Sequence, residues 1–136
     1  MQGLDTGTAT RGGMPGRVVL VVEDEALIRM ILVDHLEEAG FSVKEASRAA
    51  VAIEMLKAGE AVDAVVTDIR MPGRMDGLGL MNWMRDNRGA TPIIVTSGYV
   101  TREEAYKANP TAIIVSKPYA PADIASLLLT LVGGQP

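Results

Sequence analysis

The chain has 136 residues, of which 48% are hydrophobic and 22% are charged, a composition typical of one globular domain and not of a disordered chain. The net charge of −4 argues against direct nucleic-acid binding, which needs a basic surface. The absence of cysteine excludes disulfides and thiolate metal sites and fits a reducing cytoplasm, and no apolar run reaches the roughly 18 residues that a membrane span needs.

Residues 1–16 are rich in glycine and threonine and contain no apolar core of the signal-peptide kind, so we predict a flexible N-terminal tail followed by one domain over 17–133. Five apolar runs in that domain predict buried strands. They are Val18–Val22, Phe41–Ala46, Val62–Thr67, Ile93–Thr96 and Ala112–Val115.

Apolar residues at helical spacing follow each of these runs. The first helix is expected to bury the face formed by Ile28, Ile31, Leu32, Leu36 and Ala39. Ser47 is the expected N-cap of the second helix, Leu78–Asp86 predicts the third, and Pro121 suits the first turn of the last. The weak pattern over Thr101–Ala108 predicts a fourth helix that is short or mobile. Strands that alternate with helices predict an α/β fold, with a parallel sheet covered on both faces.

Polar side chains stand where the apolar runs end. Glu23 and Asp24 follow the first run, and Asp68 follows the third. The carboxyl ends of strands form the ligand crevice of open α/β sheets, so these acids are expected to converge if the two strands are neighbours. Carboxylates that close repel each other unless a cation lies between them. A site with oxygen ligands alone favours Mg²⁺.

An aspartate carboxylate at such a site can act as a nucleophile and form an acyl phosphate. The phosphoryl oxygens then need a metal, a cationic side chain and a hydroxyl or backbone N–H as partners. Lys117 and Ser97, each at the end of another strand, are the candidates for the last two roles. Pro118 permits a cis peptide bond directly after Lys117.

Several spaced segments carry a resemblance to one family. They are Val21–Glu25, Val65–Gly73, Met75–Gly77, Pro92–Gly98 and Val115–Tyr119. Together they make the chain, over about residues 17–133, similar to the receiver domain of two-component response regulators. The resemblance implies a flavodoxin-like (βα)5 fold with strand order 2-1-3-4-5.

The resemblance also implies roles for individual residues. Asp68 would accept a phosphoryl group from the phosphohistidine of a sensor histidine kinase or of a histidine phosphotransfer protein. Glu23, Asp24, the Asp68 carboxylate and the backbone carbonyl of Arg70 would hold Mg²⁺. Lys117 would pair with the phosphoryl group, and Ser97, five residues after Pro92, would be the switch hydroxyl, with Thr96 as the nearby competitor.

The sequence departs from the family pattern at the position three before the lysine, where an aromatic rotamer switch is common and Ile114 stands here. Tyr99 is a candidate to replace that aromatic residue. The loop from Pro72 to Gly77 also looks one residue longer than the commonest form, which would shift Arg74 toward the site.

The resulting hypothesis is a cytoplasmic bacterial phosphorylation switch that is not a conventional enzyme, although it catalyses its own phosphorylation and dephosphorylation. Its output would be protein–protein contacts, with a homodimer as one option, or service as a phosphate sink or relay. Two alternatives stay open at this point. One is a haloacid-dehalogenase-like phosphatase, which needs an aspartate where Arg70 stands, and the other is an unphosphorylated interaction module.

Overall fold

The computed structural model describes residues 17–69, 77–98 and 102–133. The predicted tail over 1–16, the loop that contains Arg70 and Arg74, and Tyr99 lie outside these ranges. None of the helices in the described ranges has the length and hydropathy that a bilayer crossing requires.

Five parallel strands form one sheet in the order β2-β1-β3-β4-β5, which confirms the predicted order. The strands are β1 (Val18–Val22), β2 (Ser42–Ala46), β3 (Ala64–Asp68), β4 (Ile93–Ser97) and β5 (Ile113–Ser116). Every residue of β3 and β4 is buried, as expected for central strands covered on both faces.

Five helices cover the sheet, and alternate residues of the strands face one or the other of two apolar clusters. The helices are α1 (Ala26–Glu38), α2 (Ala49–Lys57), α3 (Gly77–Asn87), α4 (Arg102–Ala108) and α5 (Pro121–Leu128), the last continued by a π-helical turn over Leu129–Gly133. One cluster joins the sheet to α2, α3 and α4, and the other joins it to α1 and α5. The fourth helix has seven residues, so the prediction of a short helix is confirmed.

The strand ends differ slightly from their predicted positions. The third strand starts at Ala64 and includes Asp68 as its last residue, whereas the apolar run had suggested Val62–Thr67. Asp63 lies just before the strand, where its carboxylate accepts a hydrogen bond from the amide of Val18 at 2.7 Å. Ser97 is likewise the last residue of β4 and not the first after it.

The predicted N-cap at Ser47 is wrong. The second helix starts at Ala49, and Arg48 occupies the N-cap position with an extended backbone. The carbonyl of Arg48 accepts the first helical hydrogen bond, from the amide of Ala52 at 3.2 Å, and no side chain caps this end. The apolar residues Ala49, Ala52, Ile53 and Leu56 of this helix are all buried.

The predicted buried face of α1 is partly wrong. Leu32, Val33 and Leu36 are the buried residues of this helix. Four apolar side chains nearer its start are exposed by 38–64%, namely Leu27, Ile28, Met30 and Ile31. Burial in this helix is thus confined to residues from Leu32 onward.

Two substitutions in α1 test this description of its buried face. Leu36→Ala is expected to lower the free energy of unfolding by about 2–5 kcal/mol, because it opens a cavity in the apolar cluster between α1 and the sheet. Leu27→Ala, on the exposed side, is expected to change it by less than about 0.5 kcal/mol. Urea unfolding measures both, and comparable losses for the two variants would contradict the placement of the helix.

Candidate functional site

Three carboxylates meet at the carboxyl edge of β1 and β3. One carboxylate oxygen from each of Glu23, Asp24 and Asp68 lies within 4.8 Å of the others. They converge because β1 and β3 are parallel neighbours, with Val22 paired to Thr67, so the residues that follow these positions emerge side by side. Glu23 and Asp68 are buried and Asp24 is exposed, so the cluster opens to solvent on one side.

Glu23 is held by hydrogen bonds at three points. Its amide donates to the carbonyl of Ala46 on β2 at 3.1 Å. Its carboxylate accepts from the amide of Glu25 at 3.0 Å, and its carbonyl accepts from the guanidinium of Arg29 at 2.7 Å. The short segment between β1 and α1 is therefore tied to β2 on one side and to the first turns of α1 on the other.

Lys117 reaches Asp68 from the far side of the site. Its ammonium donates to Oδ2 of Asp68 at 2.8 Å, and the backbone amide of Lys117 donates to the carbonyl of Ser97 at 3.0 Å. The peptide bond between Lys117 and Pro118 is cis. The contacts of Lys117 with Asp68 and Ser97 thus join the ends of β3, β4 and β5. The carboxylate of Asp68 is only 7% exposed, and its ion pair with Lys117 orients it in the site.

Close packing by Gly77 fixes the backbone of Asp68. The amide of Gly77, the first residue of α3, donates to the carbonyl of Ile69 at 2.9 Å. A Cβ atom added at Gly77 would overlap the carbonyl oxygen of Asp68 and the Cα of Ile69. Only glycine allows α3 to start this close to the strand end.

The pKa of Glu23 is raised to about 7 by its surroundings in the cluster. Burial is the main cause, and the amide of Glu25 opposes it. The charge of Asp68 and a hydrogen bond with Asp24 raise the pKa further, whereas the charge of Lys117 lowers it. Tyr119 also has a raised pKa, first through burial and then through the charges of Glu23 and Asp68. The site therefore carries excess negative potential.

The donor set fits a hard divalent cation. Two oxygens bound to one Mg²⁺ at about 2.0–2.1 Å lie at most about 4.2 Å apart, and the three carboxylate oxygens are already within 4.8 Å of one another. A cation would also relieve the repulsion and the burial that raise the pKa of Glu23. The acidic cluster is therefore compatible with Mg²⁺.

The structure brings together Glu23, Asp24, Asp68 and Lys117, as the sequence suggested. Ser97 is buried at the end of β4, and its carbonyl accepts a hydrogen bond from the amide of Lys117, the residue that follows β5. The carbonyl of Arg70 lies outside the described residues. The sequence reasoning missed Arg29, whose contact with Glu23 depends on a helix folding back over a strand end. It gave no role to Gly77 beyond its presence in a motif.

An apolar groove of about 450 Å³ runs beside the site. It lies between the start of α1 and the segment that follows β5, and it is lined by Ile28, Ile31, Leu32, Lys117, Pro118, Tyr119 and Pro121. Lys117 thus contributes both to the groove and to the ion pair with Asp68.

Comparisons with known proteins agree with this geometry. A family model described as the response regulator receiver domain matches residues 19–129. A solved structure, the response regulator receiver protein from Sinorhizobium medicae, is similar with a TM-score of 0.80 and 35% identity, over 88% of this chain and 97% of that one.

Two relatives extend the comparison to whole proteins. The putative response regulator NtrX-like of Rickettsia bellii is 38% identical over 91 residues, which is 66% of this chain and 19% of the relative. The transcriptional regulatory protein PdtaR of Mycobacterium tuberculosis is 38% identical over 112 residues, covering 79% of this chain and 53% of the relative. The chain thus spans about a fifth and about half of their lengths, and the likeness concerns that shared part.

The raised pKa of Glu23 predicts how the stability of the metal-free protein depends on pH. A carboxyl group whose pKa is raised by folding contributes stability below its ordinary value, near 4.5, and this contribution is lost as the pH rises through about 7. We therefore expect the wild type to lose stability relative to Glu23→Gln between pH 5 and pH 8. Urea unfolding of both proteins in a chelator measures this difference, because the effects of pH that the two proteins share cancel in the comparison. Parallel pH profiles would contradict the expectation.

Proposed function

Because the chain belongs to the response regulator receiver domain family, a family of signalling domains and not of conventional enzymes, we propose that it is a switch driven by phosphorylation of Asp68. One observation carries the proposal. The buried carboxylate of Asp68 contacts the ammonium of Lys117 at 2.8 Å and also lies within 4.8 Å of the carboxylates of Glu23 and Asp24. These residues would supply a nucleophile, a cationic partner for phosphoryl oxygens and a cation site at one edge of the sheet.

The proposed reaction transfers a phosphoryl group to a carboxylate oxygen of Asp68. In the donor, a phosphohistidine of a sensor histidine kinase or of a histidine phosphotransfer protein, the P–N bond breaks. Its electron pair stays on the imidazole nitrogen, which takes up a proton, while a new P–O bond forms at Asp68. With acetyl phosphate as the donor, a P–O bond breaks and acetate leaves.

Mg²⁺ would be held by Glu23, Asp24, the carboxylate of Asp68 and the carbonyl of Arg70. When bound, it neutralises charge on the incoming phosphoryl group and on the carboxylates. Lys117 contributes a fixed positive charge on the opposite side of Asp68, and its hydrogen bond of 2.8 Å keeps the carboxylate oriented before transfer.

Ser97 is proposed to donate a hydrogen bond from its hydroxyl to a phosphoryl oxygen after transfer. Its place at the buried end of β4 supports this role, because the described chain leaves β4 immediately afterwards, at Gly98, toward α4. Phosphorylation adds roughly two negative charges at Asp68. An inward pull on Ser97 would then bias the conformation of the segment that follows it.

The exposed apolar start of α1 and the adjoining groove are proposed as the docking surface for the phosphoryl donor. Ile28 and Ile31 line this groove and are 38% and 42% exposed, and the groove borders Lys117 and therefore the phosphorylation site. A helix of the donor that packed here would bring its histidine to the edge of the sheet.

The chain is proposed to signal through contacts with another protein or to serve as a phosphate sink or relay. It would also release phosphate from Asp68 by hydrolysis of the acyl phosphate. Its cytoplasmic location stays a prediction from the cysteine-free composition. The homodimer remains a prediction as well.

Labelling with acetyl phosphate and Mg²⁺ tests the phosphorylation site. We expect the wild type to form a hydroxylamine-sensitive phosphoryl adduct, and Asp68→Ala to lose it, because no other residue in the described site is assigned as the nucleophile. Intact-protein mass spectrometry and hydroxylamine treatment measure the adduct. Ser47→Ala, on the surface before α2, is the control and is expected to label normally. Undiminished labelling of Asp68→Ala would overturn the assignment.

Two measurements on the wild type distinguish the proposed switch from a phosphatase and from an unphosphorylated interaction module. Steady turnover of p-nitrophenyl phosphate would favour a phosphatase, and we expect none because Arg70 stands where that class has its acid. A wild type that neither binds Mg²⁺ nor reacts with acetyl phosphate would favour an unphosphorylated interaction module.

A substitution in the groove tests the docking surface. Ile31→Asp places a charge on the exposed apolar start of α1, where it costs little folding free energy. With a histidine kinase that labels the wild type, we expect transfer to this variant to fall at least about 10-fold, because a desolvated charge weakens helix packing. Labelling by acetyl phosphate is expected to stay unchanged. Normal transfer from the kinase would exclude this surface.

A further inference from the structure

Arg29 lies beside the acidic cluster but contacts its backbone and not its carboxylates. The guanidinium Nη1 donates to the carbonyl oxygen of Glu23 at 2.7 Å, and Nε donates to Oε1 of Glu45 at 3.0 Å. The side chain of Arg29 is only 21% exposed, whereas that of Glu45 is 49% exposed. One planar group therefore joins the end of β1 to the end of β2, with α1 as its support.

The carbonyl of Glu23 belongs to the peptide unit that connects Glu23 with Asp24. This unit is rigid and planar, so a donor that fixes its carbonyl also fixes the position of the Asp24 Cα. The amide of Glu23 is already fixed by Ala46 at 3.1 Å. Arg29 completes the restraint, and the two acidic side chains start from defined positions on either side of this peptide unit.

The positive charge of Arg29 and its contact with Glu23 are expected to have opposite effects on the affinity of the acidic cluster for a divalent cation. A positive charge near three carboxylates competes with a divalent cation, so its removal alone would strengthen cation binding. Loss of a contact that orders two ligand-bearing residues would weaken cation binding, because the ordering would then have to occur on binding. The sign of the change in affinity therefore distinguishes the two roles.

We propose that Arg29 is a positioning residue for the cation site. By clamping the carbonyl of Glu23 against Glu45, it holds Glu23 and Asp24 in the arrangement that binds a divalent cation. The proposal rests on the function proposed above, since it assumes that the acidic cluster binds Mg²⁺. It assigns to Arg29 no contact with the phosphoryl group.

The experiment is a titration of ¹⁵N-labelled, metal-free protein with MgCl₂ at constant ionic strength, followed through the amide shifts of the site. We expect Arg29→Ala to weaken Mg²⁺ binding about 10-fold, the lower end of the effects seen when groups that orient metal ligands are removed. Half-saturation of acetyl phosphate labelling by Mg²⁺ is expected to shift by the same factor. The rate at saturating Mg²⁺ is expected to stay close to the wild-type rate.

Lys44→Ala is the matched control, because it removes a cation from β2, next to the Arg29 partner Glu45, and breaks an ion pair of similar length, 3.1 Å to Glu60, without removing a contact to Glu23. We expect it to leave Mg²⁺ affinity unchanged. Arg29→Lys keeps the charge but lacks the forked donor, so an intermediate loss is expected. This variant decides the question if Arg29→Ala does not fold.

Unchanged or tighter Mg²⁺ binding by the Arg29 variants, with a wild type that binds and labels normally, would overturn the positioning role and leave the proposed function intact. A wild type that fails to bind Mg²⁺ would instead overturn the proposed function. An equal loss of affinity in Lys44→Ala would show a general effect of lowered stability and would also overturn the role of Arg29.

Discussion

The parallel pairing of β1 with β3 is the constraint on which the site depends. It brings residues 45 positions apart, Glu23 and Asp68, to one edge of the sheet together with Asp24, within 4.8 Å of one another. The arrangement is electrostatically unfavourable by itself, as the raised pKa of Glu23 indicates. The apolar clusters on both faces of the sheet stabilise the fold that holds the carboxylates there. Local repulsion of this kind is what makes a site responsive to a cation or to a proton.

The topology of the sheet explains why the crevice opens at this position. The chain leaves β1 for α1, which packs on one face, and leaves β3 for α3, which packs on the other. Adjacent strands whose helices diverge to opposite faces leave a gap above their carboxyl ends. The close approach of Gly77 to the backbone of Asp68 sets one wall of this gap, and the ammonium of Lys117 closes it toward β5.

The strands could be predicted because β-branched runs such as Val18–Val22 strongly favour a buried strand. Their order could be predicted because the segment motifs resemble those of one family. The acids were identifiable because they follow such runs directly. The limits of burial on α1 were not predictable from periodicity, since Ile28 and Ile31 belong to the predicted apolar face together with Leu32 yet are exposed along the groove beside the site. Periodicity describes which side of a helix is apolar but not how far along the helix its neighbour extends.

Long-range contacts of polar side chains were the least predictable part of the site. Nothing in the sequence distinguishes Arg29 from other polar residues of a helix. Its contact with Glu45, 16 positions later in the chain, forms only because β2 lies beside the start of α1. Ser47 shows the opposite error: a residue type that favours N-caps stands one position too early, and the helix begins after Arg48 without a side-chain cap. In both cases the backbone path set by strand pairing outweighs the local preference of the residue.

The packing around β5 and α4 limits how a change at Asp68 would spread through the fold. Ile114 is half-buried and packs against the cluster on the α3 and α4 face, so β5 offers at this position no aromatic ring to change rotamer. The carboxyl end of α4 is tied to α3, because Arg85 donates to the carbonyl of Ala108 at 3.1 Å and Asn109 donates to that of Met81 at 3.1 Å. Under the role proposed for Ser97, a displacement that starts there would meet a helix of seven residues whose far end is anchored. Such a helix can respond by turning about that anchor more readily than by moving as a whole.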